Sequence, residues 1–156
     1  MAYRRIACCT DFSENATLAF EQALELAEKY GAELHIVHVL PAEINPTVSG
    51  TVRVLPDNSE RLLIPQLEEQ MAAEYSPRVA GRVDCKLIVL NGHVSTEIVK
   101  YLQDNAIDLA VVGSYGLSGL GLVVFGSVAK RVSHRAPCSV LIVRNGAGSE
   151  GSDRSV

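Results

Sequence analysis

The chain has 156 residues, a net charge of −4 at pH 7, 47% hydrophobic residues and 21% charged ones. That length suits one domain and buries a core without disulfides or a structural metal, while the acidic balance argues against general nucleic-acid affinity, which needs a basic surface. No apolar run is long enough to cross a bilayer, and the opening "MAYRRIACCTDF" lacks the apolar stretch of a signal peptide, so a cytoplasmic protein with no membrane partner is expected.

In chain order, the first apolar run is "RRIACCT" (4–10), read as a strand. A helix from Glu14 to Tyr30 follows, with Ala16, Ala19, Phe20, Ala23, Leu24 and Ala27 on one face. Ser13 suits its N-cap and Gly31 its stop. "ELHIVHVL" (33–40) is the second strand. The stretch 41–58 holds three prolines, Pro41, Pro46 and Pro56. A connection of that length is expected to be a functional lid or a disordered loop. A second helix, 59–75, turns Leu62, Leu63, Leu67 and Met71 inward, with Pro65 limiting its start. "CKLIVL" (85–90) is the third strand. A third helix, 95–105, points Ile98, Val99, Leu102 and Ala106 inward. "DLAVVGS" (108–114) is the fourth strand. A fourth helix, 127–135, buries Val128 and Val132 and stops before Pro137. "CSVLIV" (138–143) closes the series, and the small polar tail 145–156 is expected to be disordered.

The strands are nearly continuous in Val, Ile and Leu, as strands covered on both faces are. Strands alternating with helices imply an α/β fold: a doubly wound parallel sheet of five strands with helices on both faces. In such sheets ligands bind past the carboxyl ends of the strands, where the winding reverses. The places to search are therefore just past Thr10, Leu40, Leu90 and Gly113.

Four cysteines, Cys8, Cys9, Cys85 and Cys138, have no C-x-x-C spacing and no paired His. Buried thiols are the expectation, and zinc is not. Cys8 and Cys9 must face opposite sides of a strand, so one of them can face a ligand. His38, between two valines, reads as a hydrogen-bonded structural histidine. His93, at a strand end, is as fit to touch ligand as not. His134 reads as a favourable charge at a helix C-terminus.

Five glycines fall within the fourteen residues from Gly113 to Gly126. Three known patterns nearly fit and fail. G-x-G-x-x-G breaks at Val124. The P-loop lacks its Lys between Gly126 and Ser127. The esterase elbow around Ser118 has Leu120 in place of its second Gly. An anion site remains attractive on physical grounds. Gly126 and Ser127 sit where a helix begins, and open backbone N–H groups there favour negative charge.

Gly113, Gly116 and Gly126-Ser127 together match G-x2-G-x9-G-[ST], and in this respect the chain resembles the ATP-binding branch of the universal stress proteins. The likeness extends over nearly the whole chain, from "RRIACCTDFSENATLAFEQALELA" to "APCSVLIVR". It implies a Rossmann-like sheet, akin to the adenine nucleotide alpha hydrolases, of order 3-2-1-4-5 in a domain spanning 1–144. It implies that Asp11, with Thr10 and Cys9 in the same turn, lies near the adenosine. Val39 would contact the adenine through its backbone. Val112 and Gly113 would border the ribose, and Gly116, Gly126, Ser127 and Val128 would hold the phosphates. Three positions depart from the family pattern: Val94 stands where Pro often does, Tyr115 where His is common, and "LSGLGLVVF" (117–125) carries no charge.

The function so implied is binding of ATP, or of ADP or AMP, with Mg²⁺ accompanying the phosphates and Asp11 or Ser127 as partial ligands. The bound state would alter docking to a signalling partner in a stress response. No P-loop Lys, general base or arginine finger is in evidence, so hydrolysis is expected to be slow or negligible. Two other readings stay open: a dimeric interaction module that binds no nucleotide, and a small serine hydrolase at Ser118. The last strand, Ser139 to Val143, lies at the sheet edge and is apolar. Pairing of two such edges, as is common in the family, would give a homodimer.

Overall fold

The computed structural model describes residues 2–41, 59–114 and 126–145. Gly116, Ser118, most of the 41–58 connection and the tail beyond Asn145 lie outside the described residues. The elements run β1 (Arg5–Cys9), α1 (Glu14–Tyr30), β2 (Glu33–Pro41), α2 (Ser59–Val79), β3 (Cys85–Gly92), α3 (Val94–Asp104), β4 (Leu109–Gly113), α4 (Ser127–Arg135) and β5 (Ser139–Val143). The strands form one parallel sheet in the order β3-β2-β1-β4-β5.

Alternation along the strands sorts the core into two layers. Ile6 and Cys8 of β1, Leu34 and Ile36 of β2, and Leu109 and Val111 of β4 pack with Phe20 of α1 and with Met71 and Tyr75 of α2. Ala7, Val37, Val39, Ala110 and Val112 face the other way, onto Ile98 and Leu102 of α3 and Ala129 and Val132 of α4. Each face is thus covered by two helices, which is why the strands carry so few polar residues. Cys8 and Cys9 are divided between the two layers.

α1 buries the six residues that its period marks. Ser13 Oγ accepts a hydrogen bond from Ala16 N at 3.2 Å. Gly31 ends the helix at φ 62°, in the left-handed region, and its N–H reaches back to the Ala27 and Glu28 carbonyls. Losing the Phe20 ring from this layer, by F20A, would cost about 3–5 kcal/mol.

Three helical expectations need correction. Leu62 is not inward but 68% exposed; the buried stripe of α2 is Met71, Tyr75 and Val79, spaced by four. α2 also continues to Val79 through Pro65 and Pro77. Both prolines are exposed, and each withholds one N–H from the helix ladder. Ala106 is exposed as well, at φ 48°, because α3 ends at Asp104 and the chain reverses there; Ile107 is the buried residue instead.

β1 lies between β2 and β4. The chain winds outward from β1 through β2 to β3, then returns across to β4 and β5. The reversal leaves a crevice past the carboxyl ends of β1 and β4, where the connections to α1 and α4 part company.

Candidate functional site

A cavity of about 440 Å³ occupies that crevice. One wall comes from the end of β1 and the turn after it, with Cys9, Thr10 and Asp11. Val39 contributes from β2, and Val112 and Gly113 from β4. Gly126, Ser127 and Val128 close it from the start of α4. Of the residues that the family resemblance marks for nucleotide, all border this one space except Gly116, which lies outside the described residues.

The turn after β1 is held from several sides. Thr10 N donates to the Val37 carbonyl at 2.9 Å. The Thr10 carbonyl accepts from His38 Nδ1 at 2.8 Å, which fixes the proton on that nitrogen. The Thr10 hydroxyl accepts from Phe12 N at 3.1 Å and is also paired with the buried Tyr75 phenol of α2. The polar atoms of Thr10 are thus engaged inside the protein, and it shapes the cavity rather than presenting its hydroxyl. Asp11 Oδ1 accepts from Ser13 N at 3.0 Å, closing a turn around Phe12. Phe12 has φ 63°, a region costly for a side chain with a Cβ. Its ring packs on His38, centroids 4.8 Å apart, and on Tyr75 at 6.3 Å.

The wall near β2 and α3 is apolar, built from Val37, Val39, Pro41, Val94 and Ile98. β1 ends at Cys9, opposite Val37. Period-two alternation turns the peptide groups of Val39 to the same side as the Val37 carbonyl, toward the crevice beyond that end. A flat apolar ring fits such a slot, with one donor and one acceptor at its edge.

The α4 end differs in kind. Its N-cap is Gly126, not Ser127, and no side chain caps it. The first return bond is Lys130 N to the Gly126 carbonyl, at 3.1 Å. The N–H groups of Ser127, Val128 and Ala129 thus have no acceptor within the helix, and all three residues border the cavity. Their partial positive charge makes this the anion-attracting end. Among the described residues that border it, Asp11 carries the only carboxylate, and no Lys or Arg is present. Beside it, Ser114 follows β4 with 1% of its surface exposed, and its Oγ has no hydrogen-bond partner among the described residues.

Gly113 is demanded by packing. A Cβ there would stand 2.9 Å from the Asn15 carbonyl oxygen of α1. The thiol of Cys9 is held protonated: burial pushes it up to about 12, with nearby Cys138 adding to the effect. Burial likewise raises Cys8, Cys85 and Cys138, so none of the four is a ready nucleophile.

His38 combines its structural hydrogen bond with a place on the cavity wall. His93 does not border the cavity. It precedes α3, its Nε2 accepts from Arg131 Nη1 at 3.2 Å and its Nδ1 pairs with Thr96 Oγ1 at 2.9 Å, bridging α3 to α4. Pro41 stands just past Leu40, where the winding rule directs the search, whereas Val37, Val94, Ile98 and Ala129 border the cavity outside the residues that the sequence marks for ligand. The step of two from Val39 could have flagged Val37; nothing local distinguishes the others.

A second cavity opens at the amino ends of the strands. There Asp108 Oδ2 accepts from Arg4 N and Arg5 N, at 2.8 and 3.0 Å, tying β1 to the start of β4. Among the described residues no group of His, Cys, Asp and Glu could hold a metal ion, and no helix is long and apolar enough to cross a membrane.

With this geometry in place, comparison with known proteins is specific. The universal stress protein family model matches residues 2–144. A curated relative, the universal stress protein YxiE of Bacillus subtilis, is 31% identical over 153 residues, covering 91% of this chain and 99% of its own. Among solved structures, the universal stress protein UspA from Lactobacillus plantarum superposes with a TM-score of 0.73 at 26% identity, covering 92% of this chain and 99% of that one. The universal stress protein from Archaeoglobus fulgidus in complex with dAMP shares the fold, with a TM-score of 0.63 at 20% identity over 91% of this chain and 98% of that one.

Proposed function

The chain belongs to the universal stress protein family, and from that premise we propose that its switch-point cavity binds an adenine nucleotide: ATP, or else ADP or AMP. The observation that carries the reading is the pairing of an apolar slot with an uncapped helix N-terminus across one space of about 440 Å³. In the proposed complex the adenine lies against Val39, Val94 and Ile98, and reads the peptide edge of Val39. The ribose lies over Val112 and Gly113, near Asp11. The phosphates meet the N–H groups of Ser127, Val128 and Ala129 and the Ser127 hydroxyl, with Gly116 completing the set. Binding of dAMP by the Archaeoglobus fulgidus relative is consistent with this.

Mg²⁺ fits this chain only as an ion carried by the nucleotide. Asp11 offers a single carboxylate, so phosphate oxygens and water would supply most of its ligands. Among the described residues the walls carry no cation and no second carboxylate, and we propose binding with little turnover, the occupied state altering contact with a partner in the cytoplasm.

The test is S127D. Ser127 is exposed at the first position of α4, where a carboxylate suits the helix dipole and leaves stability unchanged or raised. The same charge opposes phosphate. ATP affinity, by calorimetry, should fall more than tenfold while adenosine binding holds. A parent protein that binds neither ATP nor adenosine at millimolar concentration rejects the proposal in favour of an interaction module.

We propose further that β5 pairs with its copy in a homodimer. β5 is an edge strand, and Val140 to Val143 are only partly buried. Light scattering should give twice the chain mass; a monomer at high concentration refutes the pairing.

A further inference from the structure

We propose that the outward face of α4 docks an acidic segment of a partner protein. The inference goes beyond the nucleotide reading above and does not depend on it.

α4 carries Lys130, Arg131, His134 and Arg135, and it alone among the four described helices has no Asp or Glu. At 3.6 residues per turn these four side chains fall within an arc of about 140°. Ala129 and Val132, the buried residues of the helix, lie on the opposite side. All four basic residues are exposed. Elsewhere Arg78, Arg82 and Lys86 are ion-paired, whereas no α4 side chain is in an ion pair among the described residues. Arg131 rests on a neutral acceptor, donating to His93 Nε2 at 3.2 Å.

Such a face is unfavourable in the free protein. Arg131 and Arg135 are four apart on one helix, where like charges repel. Solubility does not call for it, because the chain is already acidic, with a net charge of −4, and added cations only bring that value nearer zero. Carboxylates of a partner would relieve the repulsion.

Size and sign say what kind of partner fits. Nine helical residues extend about 14 Å, a length matched by about four residues of extended chain. A nucleic acid or an anionic membrane carries its negative charge far beyond that length, against a molecule that is itself acidic. A short run of Asp or Glu in a protein presents charge only where α4 meets it. Ser127, at the cavity end of α4, is exposed within the same arc, so cavity and docking face share one helix.

The experiment is fluorescence anisotropy of labelled octaglutamate, run without nucleotide, so that a failure of the nucleotide reading leaves its result intact. Salt is held near 0.1 M, where exposed charges more than about 10 Å apart are screened. The parent should bind. K130E/R135E should weaken binding by about tenfold and K130Q/R135Q by about threefold. The control R4E/K29E makes the same change in net charge at exposed sites, before β1 and in α1 across the sheet, and should stay within about twofold. Thermal unfolding is followed on each variant, and if the reversed pair does not fold, the glutamine pair decides. Equal losses in the α4 pair and the control pair overturn the proposal, because net charge then explains the binding. A parent that ignores octaglutamate at millimolar concentration overturns it too. Tighter binding of a DNA duplex or of phosphatidylserine vesicles than of octaglutamate also overturns it, and gives the face to that polyanion.

Discussion

Gly113 and Asn15 meet backbone to backbone, and a Cβ on residue 113 would lie 2.9 Å from the Asn15 oxygen and 3.0 Å from its carbonyl carbon. β4 therefore ends in direct contact with the first turn of α1. Backbone cannot yield as a side-chain tip does. G113A is expected to destabilise the fold by about 1–3 kcal/mol. Urea unfolding should show a lower midpoint with an unchanged slope.

Phe12 gives a paired prediction. At φ 63° its backbone favours glycine, yet its ring packs on His38 and Tyr75. F12A loses the ring and keeps the strain; F12G loses the ring and relieves it. F12G should be the more stable of the two by about 1 kcal/mol, though both fall below the parent. Equal stabilities would show that the turn is not held in the left-handed region.

The Tyr75–Thr10 hydrogen bond joins α2 to the cavity turn. Burial pushes the Tyr75 hydroxyl up to about 12, with the Thr10 bond acting partly against it, so it stays neutral. Y75F leaves the ring in place and should cost about 1 kcal/mol. Hydrogen exchange at the Phe12 amide should quicken by more than at amides of β4, because Phe12 N shares the Thr10 oxygen.

Acid stability should follow His35. Its Nε2 lies 2.5 Å from Glu33 Oε1 and its Nδ1 2.7 Å from the Tyr101 hydroxyl, while Lys86 Nζ reaches Glu33 at 3.0 Å. Burial lowers His35 from its ordinary value of 6.5, with Glu33 opposing and Lys86 and Arg5 adding to the fall. The unfolded imidazole therefore takes up its proton before the folded one, and stability drops as pH falls below 6.5. Glu33 is lowered from 4.5, first by its hydrogen bond from Lys86 and then by His35, so a second loss follows below 4.5. Unfolding midpoints between pH 7.5 and 5 should decline, and H35Q should flatten that slope.

Local pattern made α1 legible to the residue: its cap, its stop and its six buried positions depend on neighbours in sequence. The sheet order is another matter. Periodicity says that strands are buried, and only the family resemblance supplied their arrangement. Leu62 and Ala106 misled because an apolar residue near a helix end follows the period even where no partner element reaches it. The strand ends that border the cavity could be named in advance because the winding rule points to them. Val94 and Ile98 could not be: α3 is brought beside β2 by a crossover, and nothing in their own segment marks it. The orphaned state of Ser114 depends likewise on Gly126 and Val143, both distant in sequence.

The cavity draws its walls from residues 9–16, 37–41, 94–98, 112–113 and 126–129. During synthesis those stretches leave the ribosome in that order, and the α4 turn comes last but for β5. A nascent chain that has emerged only through β3 still lacks the α4 turn proposed to grip a phosphate. Under the proposed function, a resident nucleotide would report that α4 had docked on the sheet, and copies lacking that helix would be recognisable by being empty.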